Sequence, residues 1–209
     1  THAPTPWMLL QEDVRRLGLD PTAIIREDGI DPADAFRRLQ SGDADYILAF
    51  APWGSLAERD CLGPVVSAGA KRGPLAFTSF YANRTFIETR TESVARLAQG
   101  LQNALTYVRG TDAAKLASII KPWFPDFDEA LLTTAITRYQ RLDLWPDTPT
   151  MTADGFTRLK SSLLTSGYIN SHPAFEQLCR LHAPYCWRKS SFSTTSLAVP
   201  FTAAAPLSR

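Results

Sequence analysis

The chain has 209 residues, 44% hydrophobic and 21% charged, enough to bury a core as one large domain or two small lobes, which excludes a chain disordered throughout. With 22 Lys and Arg against 21 Asp and Glu, the formal charge is +1 and no basic block of five residues occurs, so the footprint of a nucleic-acid binder is missing. No eighteen apolar residues run together, so no membrane-spanning helix is expected.

The first predicted element is a helix over 5–17, with Thr5 as N-cap, Pro6 as first helical residue, Trp7, Leu10, Val14 and Leu17 at helical spacing, and Gly18 as stop. "TAIIRE" (22–27) has the β-branched density of a strand, and "DPADAFRRLQSG" (31–42) is a helix capped by Asp31 with Pro32 first. "ADYILAF" (44–50) is a continuous apolar strand, "APWGSLAERDCLG" (51–63) a short helix started by Pro52, and "PVVSAG" (64–69) another strand. Continuous apolar strands between helices predict a parallel sheet covered on both faces. Phe77, Ser79 and Tyr81 then alternate with Thr78 and Phe80 as a strand would, and Asn83 and Arg84 are placed to cap the turn that follows. From residue 84 helices dominate, over 91–108, 112–120, 127–140 and 152–166, opened by pairs such as Thr91 with Glu92, Thr111 with Asp112 and Thr152 with Asp154. After Glu176 acidic residues cease, and the Ser, Thr, Ala and Pro of 188–209 predict a loose tail. The organisation expected is therefore a sheet-building unit (1–72), a crossover strand (73–83), a helical segment (84–180) and the tail (181–209).

The ordered runs "LGLDPTAIIRE", "AFRRLQSGDADYILAFAPWGSLAERD", "FTSFYANRTFIETRTESVARLAQGLQNALTYVRGT" and "LWPDTPTMTADGFTRLKSSLLTSGYI" resemble the second half of the periplasmic substrate-binding proteins of ABC importers. The resemblance is to the branch covering nitrate, sulfonates, taurine and the pyrimidine precursor of thiamine, which shares its fold with thiamine-pyrimidine synthases. It implies an α/β, type II periplasmic-binding-protein-like fold, with 1–72 as the second lobe and 84–180 as the helical return segment of an incomplete first lobe. Members of that family carry about a hundred residues, part of a lobe, ahead of the helix that opens this chain. The start at Thr1 without a basic-then-apolar leader fits a processed or truncated beginning. The resemblance further implies a periplasmic monomer that closes two lobes over a small planar or anionic ligand and delivers it to a membrane permease, with no catalytic residue, metal or cofactor.

Read for chemistry, the chain offers three walls of a cleft. In open parallel sheets ligands sit at the carboxyl ends of strands, facing the N-termini of the next helices. Thr5 and Trp7 mark one such end, Pro52 and Trp53 a second. Phe77, Thr78, Ser79 and Tyr81 of the crossover supply the third, where a ring could stack on a flat ligand. The plainer alternative makes every one of these aromatics core. The family often has Glu just before the Pro at position 52; here it is Ala51, which removes a contact to a cationic ligand group.

Other constellations are weaker. Cys61, Cys179 and Cys186 are an odd count that allows one disulfide and no scaffold. Cys179, His182 and Cys186 lack the fourth ligand and the spacing of a zinc site. His2, His172 and His182 are scattered and form no triad pattern. "GPVVSAGAKRG" lacks the glycine spacing of a nucleotide loop, and Trp123 and Trp145 read as packing anchors at helix junctions. Two alternatives to the receptor stand: a pyrimidine-precursor synthase-like enzyme, which would want the clustered cysteines that the sheet-bearing half lacks, and a truncated fragment that binds nothing.

Overall fold

The computed structural model describes residues 4–66, 69–171, 174 and 197–200. In chain order the elements are α1 (Thr5–Arg16), α2 (Pro32–Ser41), α3 (Trp53–Arg59), β1 (Ser79–Ala82), α4 (Arg84–Thr89), α5 (Thr91–Gly110), α6 (Ala113–Ile120), α7 (Glu129–Arg141), α8 (Ala153–Thr165) and β2 (Leu197–Pro200).

Side-chain caps fix most helix starts. The carboxylates of Asp31, Asp112 and Asp128 accept from backbone N–H groups of Ala33, Ala114 and Leu131, and the Thr152 hydroxyl accepts from Gly155 N. Each satisfies an orphan donor of the first turn, Asp112 also a second at Lys115 N, for about 1 kcal/mol. Asn83 does the same for α4 through Phe86 N. At α1 the boundary differs from expectation. Pro4, with φ −73° and ψ −25°, is already helical, so Met8 N bonds to Pro4 O and Thr5 falls inside the helix without capping it. Gly42 closes α2 with φ 81°, a left-handed conformation that glycine adopts without a Cβ penalty.

Two apolar clusters hold these helices. Leu132 and Ile136 of α7 meet Ala113, Leu116 and Ala117 of α6, with Val108, Ile120, Phe124, Phe127 and Trp145 packed around them. No other pair of helices packs as extensively as α6 and α7. Gln140 Nε2 donates to Val108 O at 3.1 Å and Thr111 O at 2.8 Å, which seats α7 on the carboxyl end of α5. The second cluster joins Ala76 to Met151, Phe156 and Leu159. There α1 lies against α8, with Ser162 Oγ hydrogen-bonded to Glu12, Arg72 Nε donating to Asp13 at 2.6 Å and Arg158 donating to Arg72 O at 2.6 Å. Ala76 N donates to Gly155 O at 3.0 Å, so the backbone at Ala76 touches α8 directly. A Cβ on Gly155 would stand 2.9 Å from Thr152 Oγ1, closer than real Cβ atoms come, and 3.0 Å from Ala76 N, tighter than nearly all of them. Gly155→Ala is therefore expected to cost about 1–3 kcal/mol, read as a lower urea midpoint at unchanged slope; an unshifted midpoint would mean the 75–76 segment moves aside freely.

The structure departs from expectation at the sheet. None of the segments 22–27, 44–50 and 64–66 is a strand; the first begins in a 3₁₀ turn (Pro21–Ala23) and the others have no ladder partners among the described residues. A parallel strand needs neighbours on its edges and cover on both faces, and nothing in the described residues supplies them. Strand pairing is instead antiparallel, between β1 and β2, with Phe80 opposite Val199 and Tyr81 opposite Ala198. Leu197–Pro200 is the described part of the expected loose tail.

Candidate functional site

The helix α3 brings Trp53 to a junction of two sequence-distant segments. Its ring lies 5.5 Å from Phe36 of α2 and 5.1 Å, edge to face, from Phe127, which precedes α7. Edge-to-face and tilted pairs at these separations set the positive ring edge against a negative face. Beside them opens a cavity of about 380 Å³, walled by Phe36, Trp53, Leu56, Phe127 and Leu131 and rimmed by Gln40, Arg59, Asp60, Asp126 and Asp128. One wall comes from residues 36–60 and the other from 126–131, so segments far apart in sequence share the cavity.

Charge bridges the same gap. Arg59 Nη1 donates to Asp128 Oδ2 at 2.6 Å, while its Nε donates to Asp60 at 3.2 Å. Behind it, Arg138 of α7 pairs with Glu58 of α3. These contacts shift the groups consistently. The backbone N–H of Leu131, and then Arg59, hold the Asp128 carboxyl below its ordinary pKa. Glu58 is lowered chiefly by Val65 N, which donates to it at 3.0 Å, and also by Arg138. Arg59 is raised by Asp60 and Asp128.

For Asp128 and Glu58 the folded pKa lies below the unfolded one, so their stabilising contribution is complete above the unfolded pKa and disappears as pH falls through the folded value. The melting temperature is expected to stay level above pH about 5 and to drop below pH about 4. In Asp128→Asn the drop should be shallower; an acid limb identical to that of the parent would show that this cap and ion pair carry no linkage.

The other expected site residues are distributed elsewhere. Pro52 is buried at the start of α3, and Tyr139, whose hydroxyl is pushed above its ordinary pKa by burial, hydrogen-bonds to the backbone of Ala51. Trp7 is half-buried, with the Arg26 guanidinium 4.5 Å above its ring, so a cation of the chain itself occupies that face. Phe77 sits 6.5 Å from Phe50, whereas Tyr81 is exposed on β1. Thr5, Trp7, Phe77, Thr78, Ser79 and Tyr81 line neither the aromatic cavity nor the larger, more open one of about 610 Å³ around the start of α2. In that second cavity Asp34 pairs with Arg37, Arg38 with Glu27, and Ser41 with Asp43, so its charges are satisfied within the chain.

Trp53 is thus the expected residue that the structure places on a cavity wall, and its partners were not anticipated. Phe36 was legible only as the apolar face of α2, and Phe127 and Asp128 only as the start of a helix. No group of His, Cys, Asp and Glu among the described residues is arranged to hold a metal ion. Cys61 is exposed with a free thiol, whereas His2, His172, His182, Cys179 and Cys186 lie outside the described residues.

No family model and no solved structure matches the chain. It is similar to a protein of Bacillus subtilis (strain 168) named "Putative binding protein YtlA", 25% identical over 150 residues, which is 71% of this chain and 45% of that relative. The chain spans less than half the length of the curated relative it matches.

Proposed function

We propose that this chain is a binding body of an extracytoplasmic solute-binding protein of an ABC importer, built on a type II periplasmic-binding-protein-like plan. It captures a small planar ligand between the 1–72 and 84–180 segments and, as a periplasmic monomer, presents it to a membrane permease. The observation that carries this reading is the position of Trp53: it walls a cavity together with Phe36 and Phe127, between segments joined by Arg59 and Asp128. The similarity to a protein named for binding supports the same role.

The chemistry of the walls favours one ligand type over another. Three rings offer stacking and edge contacts to a flat heterocycle. Three carboxylates against one guanidinium at the rim disfavour a small oxyanion such as nitrate, so a neutral ring of the pyrimidine-precursor type ranks ahead of nitrate, sulfonate or taurine. Closure would work by selection: a ligand touching both walls stabilises the arrangement in which the Arg59–Asp128 and Arg138–Glu58 bridges are made.

A thermal-shift screen over thiamine pyrimidines, riboflavin, nitrate, taurine and alkanesulfonates tests this directly. The cognate class is expected to raise the melting temperature with a dose dependence set by mass action, about 2.7 kcal/mol at a hundred times Kd. A flat response to the whole set would overturn the ligand classes named here.

A further inference from the structure

Three stretches of this chain have the composition of strands and none of their bonds. In 23–27, 45–50 and 64–66 the backbone N–H and C=O groups make no hydrogen bond to described backbone apart from Ala23 N to Asp20 O, Ile24 N to Pro21 O and Phe50 O accepting from Trp53 N, while Val65 N donates to the Glu58 carboxylate. Several of their apolar side chains are bare too: Ile25 is 100% exposed, Tyr46 80% and Val66 69%. Ile24 and Val65, their immediate neighbours, are exposed too. The adjacent pairs Ile24–Ile25 and Val65–Val66 are therefore exposed at both residues. Scattered exposed apolar side chains are ordinary, but contiguous ones on backbone without ladder bonds are a docking signature.

We propose that these three segments are a docking surface for further polypeptide that adds parallel β-strands and a covering layer to them. The connections already have the required form. Each segment is followed by a helix or preceded by one, in the order 23–27, α2, 45–50, α3, 64–66, and α2 touches α3 through Phe36 and Trp53. Consecutive β-α-β crossovers of one hand place their helices side by side on one face of a sheet. That leaves the opposite face and at least one edge to be supplied from elsewhere. The occupant is polypeptide equivalent to the part of the Bacillus subtilis relative that this chain does not span, more than half of that protein's length. A second copy fits less well, because it would bring the same segments with the same helices, and parallel sheets are found with helices on both faces. The inference does not depend on the ligand reading.

Hydrogen exchange of the full chain, alone and co-refolded with the unmatched region of the relative, tests it. Alone, the amides of 25–27, 45–49 and 66 are expected to exchange at nearly unprotected rates; with the added region they should slow by at least about a hundredfold. Unchanged rates in the presence of that region overturn the proposal. So does protection that grows with the concentration of this chain alone, which would mean copies pair with each other. The triple variant Ile25→Lys, Tyr46→Lys, Val66→Lys alters only exposed positions, and is expected to keep the helical signal of the parent while losing the added protection. A triple variant that unfolds, or that is protected as fully as the parent, overturns the proposal as well.

Discussion

Leu132→Ala is expected to lower the unfolding free energy by about 2–5 kcal/mol. The side chain is 2% exposed at the centre of the α6–α7 cluster, where Ala113, Leu116 and Ala117 face it from the neighbouring helix. Two of those partners are alanines, which cannot reach into the space left by the removed atoms, so most of the cavity cost falls on the native state. In a chain of this size the change corresponds to a fall in melting temperature of about 5–15 °C. Exposed Leu142, at the carboxyl end of α7, provides the comparison: Leu142→Ala should change stability by about 0.5 kcal/mol or less. Equal shifts for the two variants would show that the cluster does not organise the fold. The consequence reaches the cavity, because Phe127 packs against this cluster while its ring forms the wall opposite Phe36. A ligand that binds there should therefore bind more weakly to the Leu132 variant even though Leu132 touches none of it.

Trp53→Ala is expected to weaken binding of the ligand found in the screen by about 1–3 kcal/mol, roughly 5- to 150-fold. Truncation removes the ring that stands between Phe36 and Phe127, so the cavity loses its wall and the two remaining rings lose their common partner. Titration of the variant, with a melt run in parallel, separates binding from packing. Reduced affinity at nearly unchanged stability identifies a wall of the site. Unchanged affinity with a lowered melting temperature identifies a packing residue and removes the observation on which the functional reading rests. Tyr81→Ala makes the informative contrast, since Tyr81 is exposed on β1 and lines neither cavity; its affinity should match the parent.

Helix positions were largely readable in advance, and the reasons are local. Asp31 followed by Pro32, Asp112 and Thr152 act through hydrogen bonds to amides two or three residues away, and Gly42 through its own φ, so the information needed is contained within a few neighbours. Where a second local device competed, the boundary moved by one residue, as Pro4 did at α1. The apolar face of α7 was equally legible, because Leu131, Leu132, Ala135 and Ile136 recur at helical spacing.

The strands were a different matter. "AIIRE" and "DYILAF" carry β propensity, but propensity expresses fitness for a pleated surface that other residues must build, and the described residues build none around them. The candidate site shows the same division. Position in a helix start marked Trp53, whereas the approach of Phe127 and the Arg59–Asp128 bridge joins residues 69 apart in sequence, which no periodicity encodes. By itself the sequence determined where the chain would be helical and which helix faces would be apolar, because those depend on bonds within one or two turns. Only the tertiary structure decided which faces meet, which rings share a cavity and which extended segments stay unpaired, because each of those requires surfaces that distant parts of the chain must bring together.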